Sequence, residues 1–373
     1  MSFKTLNLVV VGPLPPPAGG MANQTRQLAE LLRSEGARVA VVQTNAAYRP
    51  RWAGRLPGVR AAFRLVPYLV GLWHACGQGQ LVHLMANSGW SWHLFAVPAI
   101  IVARLRGVPV VVNYRGGEAG SFLNGSAGVV RRVMRHVAAL VLPSGYLQAV
   151  FQGYGMAGEI VPNIIDLERF HPSESPAVGA APHIVVARNL EQIYGIDVAL
   201  QAFAQIRRSV PSATLSVAGS GPQLASLQAQ AEALGIASAV RFTGRLDRDE
   251  MADLYRSADV MINASRVDNM PNSVLEALAS GVAVVSTDVG GVPYIVEHEK
   301  TALLVPPDAP DPMAKAVVRL LEDDALRQRL VAAGLADVVR YQWASVSAQW
   351  LGVYRRALGG LPQTGSSTEG AHS

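Results

Sequence analysis

Short runs of apolar, β-branched residues alternate with longer stretches of helical periodicity along almost the whole chain. In the first half the runs are LNLVVVG (6–12), RVAVVQT (38–44), LVHLM (81–85), VPVVVNY (108–114), ALVLPS (139–144) and EIVPN (159–163). Between the first two, Met21, Thr25, Leu28, Leu31 and Leu32 recur every three or four positions, which predicts a helix with one apolar face. The stretch 171–182, HPSESPAVGAAP, is proline-rich and aperiodic and reads as a linker. The alternation restarts with HIVVARN (183–189), ATLSVAG (213–219), AVRFTG (239–244), VMINAS (260–265), AVVSTD (283–288) and TALLVPP (301–307). Because the runs are continuously apolar, they suit parallel strands covered by helices on both faces. The expected fold is α/β: two doubly wound, Rossmann-like domains over 1–170 and 183–340, facing each other across a cleft. A final amphipathic helix over 341–359 is placed to cross back to the first domain, and a frayed tail follows at 360–373. In doubly wound sheets ligands bind beyond the carboxyl ends of the strands, so two such domains suit two substrates.

Composition agrees with two ordinary cores. The chain has 373 residues, half apolar and only 16% charged, which excludes disorder for most of it. Its one cysteine, Cys76, excludes a disulfide framework or a multi-cysteine metal site and suits a reducing compartment. The opening MSFKTLNLVVVGPLPPP carries no A-x-A cleavage site, so no signal peptide is expected. The apolar stretch 96–105 falls short of the ~20 residues that span a bilayer. The expected location is the cytoplasm, with the inner face of the membrane as a peripheral docking surface.

Charge is unevenly spread. Residues 1–150 hold fifteen Lys and Arg against Glu30, Glu35 and Glu118, a net of +12 in a chain whose total is +5, so the remainder carries −7. A basic front half calls for an anionic partner. Within 49–76, five arginines (Arg49, Arg51, Arg55, Arg60, Arg64) interleave with Trp52, Phe63, Tyr68 and Trp73. That pattern suits a helix lying in an anionic membrane interface, or a buried helix flanked by solvated arginines. No nucleic-acid-binding motif is present, and nucleic acid is not an expected partner.

Four segments carry candidate chemistry. In GPLPPPAGGM (12–21), Gly19 and Gly20 let backbone amides at a helix start approach a phosphate, or serve a loop that needs positive φ. GSGP (219–222), with Gly219, offers a second anion-compatible turn at a helix start. DRD (247–249) has the form of a metal-binding Asp-x-Asp, but Asp247 and Glu250 also have capping-box spacing. The richest stretch is SRVDNMPNSVLEALASGVAVVSTDVGGVP (265–293). It places Asp268 on a loop and Glu276 in the first turn of a helix, at the carboxyl edge of the sheet. Ser273 and Glu276 have capping-box spacing too. A cap alone needs neither Asp268 nor the Gly290–Gly291 pair.

Taken together, PPPAGGM, PNIIDLERFHP, VARNLEQIYGIDVALQAF, LSVAGSGP, VRFTGRL, NMPNSVLEALASGVAVVSTDVGGVP and TALLVPPD resemble the group 1 glycosyltransferases of family 4, retaining enzymes of the two-domain GT-B type. The family's Glu-x7-Glu is matched by Asp268 and Glu276. The resemblance implies that Glu276 binds the nucleotide ribose and Asp268 the hydroxyls of the donor sugar. Met270, Asn272 and Ser273 would present amides to sugar and diphosphate, and Arg188 would neutralise the departing diphosphate. Gly19 and Gly20 would close over the phosphates, while Gly219 and the segment around Thr243 and Gly244 would line the donor site. Three departures stand out: Tyr194-Gly195 where the family has Lys-Gly, Arg115 where a histidine commonly follows the strand, and Ile164 after Pro162-Asn163 where it has glycine. Arg115 is the candidate to replace the missing lysine charge.

The activity implied is sugar transfer from a UDP- or GDP-sugar to an acceptor hydroxyl with retention, without a metal or other cofactor. The basic front half points to a lipid-linked saccharide acceptor, as in polysaccharide assembly. A nucleotide-sugar epimerase and a non-catalytic nucleotide-sugar-binding or scaffold relative are the alternatives.

Overall fold

The structure, a computed structural model, describes residues 2–16, 19–48, 52, 60–173 and 181–359, the side chains of 60–62 excepted. The chain divides into two compact units, Met1–Pro162 with Val346–Ser373, and Asn163–Ser345. The first boundary therefore falls at 162/163 rather than at 170. Asn163, Ile165 and Phe170 belong to the second unit: Asn163 bonds to Met270, Ile165 N–H donates to the Tyr341 carbonyl at 3.0 Å, and Phe170 meets Tyr255 edge-on. Of the expected linker, 174–180 lies outside the described residues, as does the tail from 360.

The first unit holds β1 (Asn7–Gly12), α1 (Gly20–Ser34), β2 (Arg38–Gln43), α2 (Arg60–Gln78), β3 (Leu81–Ala86), α3 (Val97–Leu105), β4 (Val110–Tyr114), α4 (Ala119–Met134), β5 (Ala139–Leu142), α5 (Gly145–Gly153) and β6 (Glu159–Ile160). Its sheet is parallel throughout, in the order β2-β1-β3-β4-β5-β6. The run at 159–163 yields only a two-residue strand, because Pro162 has no N–H to extend the ladder.

The second unit holds β7 (His183–Ala187), α6 (Ile196–Ser209), β8 (Thr214–Ala218), α7 (Leu224–Ala233), β9 (Val240–Gly244), α8 (Arg248–Arg256), β10 (Val260–Asn263), α9 (Asn272–Ala279), β11 (Ala283–Thr287), β12 (Leu303–Val305), α10 (Pro310–Glu322) and α11 (Asp324–Val338). Its order, β12-β11-β10-β7-β8-β9, is also all parallel and reverses direction between β7 and β10. Ile184, Val185, Val186, Val260, Met261 and Ile262 are buried, as strands sandwiched between helix layers require. A doubly wound sheet opens a crevice where its strand order reverses. Residues just past β7 and β10 stand on that crevice.

The closing helix α12 (Trp343–Gly359) belongs from Val346 onward to the first unit. Trp350 stacks near His83 of β3 at 4.6 Å between ring centroids, and the Tyr354 ring meets Phe3 edge-on. His83 is buried and neutral, its pKa driven down to about 3 chiefly by burial. Asn113 Nδ2 donates to His83 Nε2 at 3.2 Å, so the proton sits on Nδ1 and is given to Tyr354 Oη at 2.8 Å.

Candidate functional site

Arg188 is the first residue beyond β7, at the reversal point. Its Nε donates to Asn263 Oδ1 at 3.2 Å and its Nη2 to Ser265 Oγ at 3.3 Å. Asn263 ends β10 and is itself fixed by donating to Ser286 Oγ at 2.9 Å, so buried polar groups from β10 and β11 aim the guanidinium. Arg188 also forms an ion pair with Asp268 and lies over the Tyr194 ring, 4.8 Å from its centroid. Burial pulls the Arg188 pKa down, against the raising fields of Tyr194, Tyr255 and Glu276.

The glycines around this cation are there for close approach of backbone. A Cβ on Gly219 (φ +151°) would lie 1.8 Å from the Arg188 carbonyl oxygen, and one on Gly195 (φ +61°) would lie 2.0 Å from that of Ala264. Gly219 thus shapes the wall of the site, and helix α7 begins only at Leu224, five residues on. Gly290 plays the same part for Asp268. Its Cβ would fall 2.1 Å from the Asp268 carbonyl oxygen, at φ +53°, while the Gly291 N–H donates to that oxygen at 2.8 Å. Gly290→Ala is expected to displace the Asp268 loop and cut the activity of the site at least about tenfold through both backbone strain and the clash. Steady-state kinetics beside a thermal melt would check it, and a rate equal to wild type would contradict it.

Helix α9 begins at Asn272 with Pro271 at its cap position and no side-chain cap. This corrects two expectations. Ser273 is inside the helix and does not cap it; its buried hydroxyl has no hydrogen-bond partner. Glu276 lies in the second turn, not the first. As the first two helical residues, Asn272 and Ser273 have no intrahelical acceptors for their amides. The loop before them is held by Asn163, whose Nδ2 donates to the Met270 carbonyl (3.1 Å) and to Asn272 Oδ1 (2.6 Å). Tyr255, buried on α8, donates to the Ser273 carbonyl (3.2 Å) and more loosely to Glu276 Oε2 (3.4 Å). Burial raises Glu276 to about 7, against the lowering influence of Arg248, Tyr255 and Arg188.

One constellation in the second unit thus gathers Arg188, Asp268, Met270, Asn272, Ser273 and Glu276, with Gly219 beside Arg188. Gly244 ends β9, and its carbonyl accepts from the Gly219 N–H at 2.8 Å; the Thr243 hydroxyl turns to the Gly244 carbonyl at 3.0 Å. Sequence reasoning missed Tyr255 and Asn263 because nothing local distinguishes them from ordinary helix and strand residues, and it noted Asn163 only as part of the Pro162-Asn163-Ile164 departure. At DRD, Asp247 does form the capping box with Glu250, and Asp249 pairs with Arg169. Gly19, Gly20 and Arg115 lie in the first unit, beyond β1 and β4. Gly19 has extended backbone (φ −168°), and a Cβ there would meet open space, so the positive-φ alternative fails for it. Arg115 Nε donates to Asn113 Oδ1 at 3.3 Å, and burial lowers its pKa to about 10, which leaves it cationic at neutral pH.

Comparison with known proteins bears on what such a site is for. Residues 169–336 match the model of the glycosyl transferases group 1, and residues 18–169 that of glycosyltransferase family 4. A GDP-mannose-dependent alpha-(1-6)-phosphatidylinositol monomannoside mannosyltransferase of Mycobacterium tuberculosis is 31% identical over 92% of this chain and 94% of its own. The chain belongs to the group 1 glycosyltransferases. A phosphatidyl-myo-inositol mannosyltransferase of the same species is 26% identical over 91% of this chain and 94% of its own. Among solved structures, sucrose-phosphate synthase from Thermosynechococcus elongatus superposes with a TM-score of 0.77 at 21% identity, covering 95% of this chain and all of that one. Anabaena HepE in complex with UDP and glucose gives 0.75 at 16%, over 94% of this chain and 99% of its own. These likenesses support the two-domain GT-B fold of this group 1 glycosyltransferase, and the related enzymes do not favour the epimerase or scaffold alternatives.

Proposed function

We propose that the chain transfers a hexose from a nucleoside-diphosphate sugar, GDP-mannose first among candidates, to a hydroxyl of an inositol-phospholipid or similar lipid-linked acceptor, with retention. The observation that carries the reading is Arg188 at the strand-order reversal, aimed by buried polar groups and set beside Asp268, the start of α9 and Glu276. In this reading Glu276 accepts from the ribose hydroxyls and the amides of Asn272 and Ser273 meet the diphosphate, whose charge a helix N-terminus favours. The bond from the anomeric carbon to the phosphate oxygen breaks while the acceptor oxygen bonds to that carbon from the same face. The acceptor's proton passes to the leaving phosphate oxygen. Arg188 stabilises the charge that develops there, the largest single contribution expected in such a site. Asp268, paired to Arg188 until the donor binds, then turns to the sugar hydroxyls and is a positioning carboxylate rather than a nucleophile, and the step needs no metal.

The test is incubation of the full chain with GDP-mannose, and separately with UDP-sugars, plus phosphatidylinositol vesicles and EDTA. Mannolipid with the donor's anomeric configuration, read by NMR, is the expected product. Isomerised donor, or binding without turnover, would overturn the reading.

The lipid part of the proposal draws on α2 and α3. Helix α2 buries Tyr68, Leu72 and Cys76 but leaves Val66, Val70 and Trp73 exposed, so it carries a second apolar face instead of being wholly buried. It packs beside α3, where Ile101 and Leu105 are exposed, Leu105 at 70%, and Arg106 lies over the Trp73 ring. Residues 36–117 contain nine arginines and no Asp or Glu. Residues 49–51 and 53–59 of the expected interface lie outside the described residues. Among the described residues no helix is long and apolar enough to cross a membrane. An apolar face with unbalanced positive charge suits docking on anionic lipid. Binding to phosphatidylinositol-containing vesicles that falls at least about tenfold between 50 and 500 mM salt is the expected result; equal binding to neutral vesicles would contradict it.

A further inference from the structure

We infer that Asp268 is a built-in competitor for Arg188 that expels the nucleoside diphosphate product while sparing the sugar donor, an inference that rests on the donor reading above. The family's second cation is replaced here by Tyr194, whose ring lies beneath the guanidinium but adds no charge. In the ligand-free site the charge of Arg188 is balanced by Asp268, both side chains being only about a tenth exposed (12% and 11%). The backbone that carries the competitor is held in place. Its carbonyl is held by the Gly291 N–H at 2.8 Å, and Gly290 lets that backbone lie close. Its carboxylate also accepts from Ser265 Oγ at 3.4 Å, and Ser265 is itself a partner of Arg188.

A diphosphate that takes Arg188 Nη2 displaces this carboxylate. A poorly hydrated carboxylate left without donors is costly, so the displaced Asp268 needs new ones. An NDP-sugar carries them as sugar hydroxyls. The free nucleoside diphosphate has none at that place, so Asp268 returns to Arg188 and the product leaves. The same side chain thereby favours the donor and disfavours the product, which speeds release where release limits turnover.

Asp268→Asn keeps the size of the side chain and removes its charge. By calorimetric titration of the full chain, the variant is expected to bind GDP about tenfold tighter than wild type and GDP-mannose equally or more weakly. Asp268→Glu, which keeps a carboxylate, should keep the wild-type order of affinities. A thermal melt checks that each variant is folded. GDP affinity that is unchanged or weaker in Asp268→Asn would overturn the competitor role, as would parallel tightening for product and donor. If wild type binds neither GDP and GDP-mannose nor UDP and UDP-glucose, the donor reading falls and takes this inference with it.

Discussion

Glu276→Gln is expected to cut transfer by roughly 10²-fold or more and yet to stabilise the ligand-free protein at pH 8. The loss follows from the ribose role: two charge-assisted hydrogen bonds to a diol, at roughly 1.5–3 kcal/mol each, are weakened or lost. The gain follows from the cost of holding this carboxylate in place. Glu276 keeps its proton to about pH 7 in the native protein, against 4.5 as its ordinary value, because burial disfavours its anion more than Arg248, Tyr255 and Arg188 restore it. The native state therefore binds more protons than the unfolded chain between those values. Stability falls as pH rises from about 4.5 through 7 and stays lowered above that range. Glutamine carries no charge and removes this slope. The difference should be small near pH 4 and grow to roughly 1–3 kcal/mol at pH 8, allowing for partial exposure of the group. Thermal melts of both proteins from pH 4.5 to 8, beside initial transfer rates, measure both halves. Parallel stability profiles would refute the buried-carboxylate account, and undiminished transfer would remove the ribose role.

Arg188→Ala is expected to lose transfer about 10³-fold and to destabilise the second unit by roughly 3–5 kcal/mol. The first effect removes the cation that meets the leaving diphosphate. The second leaves Asp268 charged, mostly buried and deprived of its main partner. The two effects separate in the double variant Arg188→Ala/Asp268→Ala, which deletes both charges. Most of the stability should return, and none of the transfer. Denaturant titration of the three proteins checks the first part; a double variant no more stable than Arg188→Ala would show that the pair is not coupled as described.

Strand positions were readable because a parallel strand buried on both faces leaves a short run of apolar, β-branched residues. VMINAS and HIVVARN each appear as strands with Asn263 and Arg188 at or just past their ends. The glycines were readable as required but not as to why. Gly219 and Gly290 are dictated by carbonyl oxygens of Arg188 and Asp268, residues distant in sequence, and no local pattern reports such a collision. The Ser273–Glu276 capping box failed because the helix starts two residues earlier than that spacing needs, after the Met270–Pro271 turn which Asn163 holds from a hundred residues away. Tyr255 escaped notice because its task depends on α8 lying against α9. The apolar runs named the strands, and the family resemblance named Arg188, Asp268 and Glu276, whereas the residues that aim those charges became visible only in three dimensions.

Helix α12 has a consequence for how the protein is made. Residues 163–345 are one uninterrupted segment, so the second unit has its whole chain as soon as they have emerged from the ribosome. The first unit begins translation earlier but lacks Trp350 and Tyr354, which fill the space beside His83, until residues 346–359 arrive. Birth order and completion order are therefore reversed. A nascent chain that has emerged as far as 345 would carry a finished second half and a first half with a gap in its interior, exposed to chaperones and proteases until 346–359 follow.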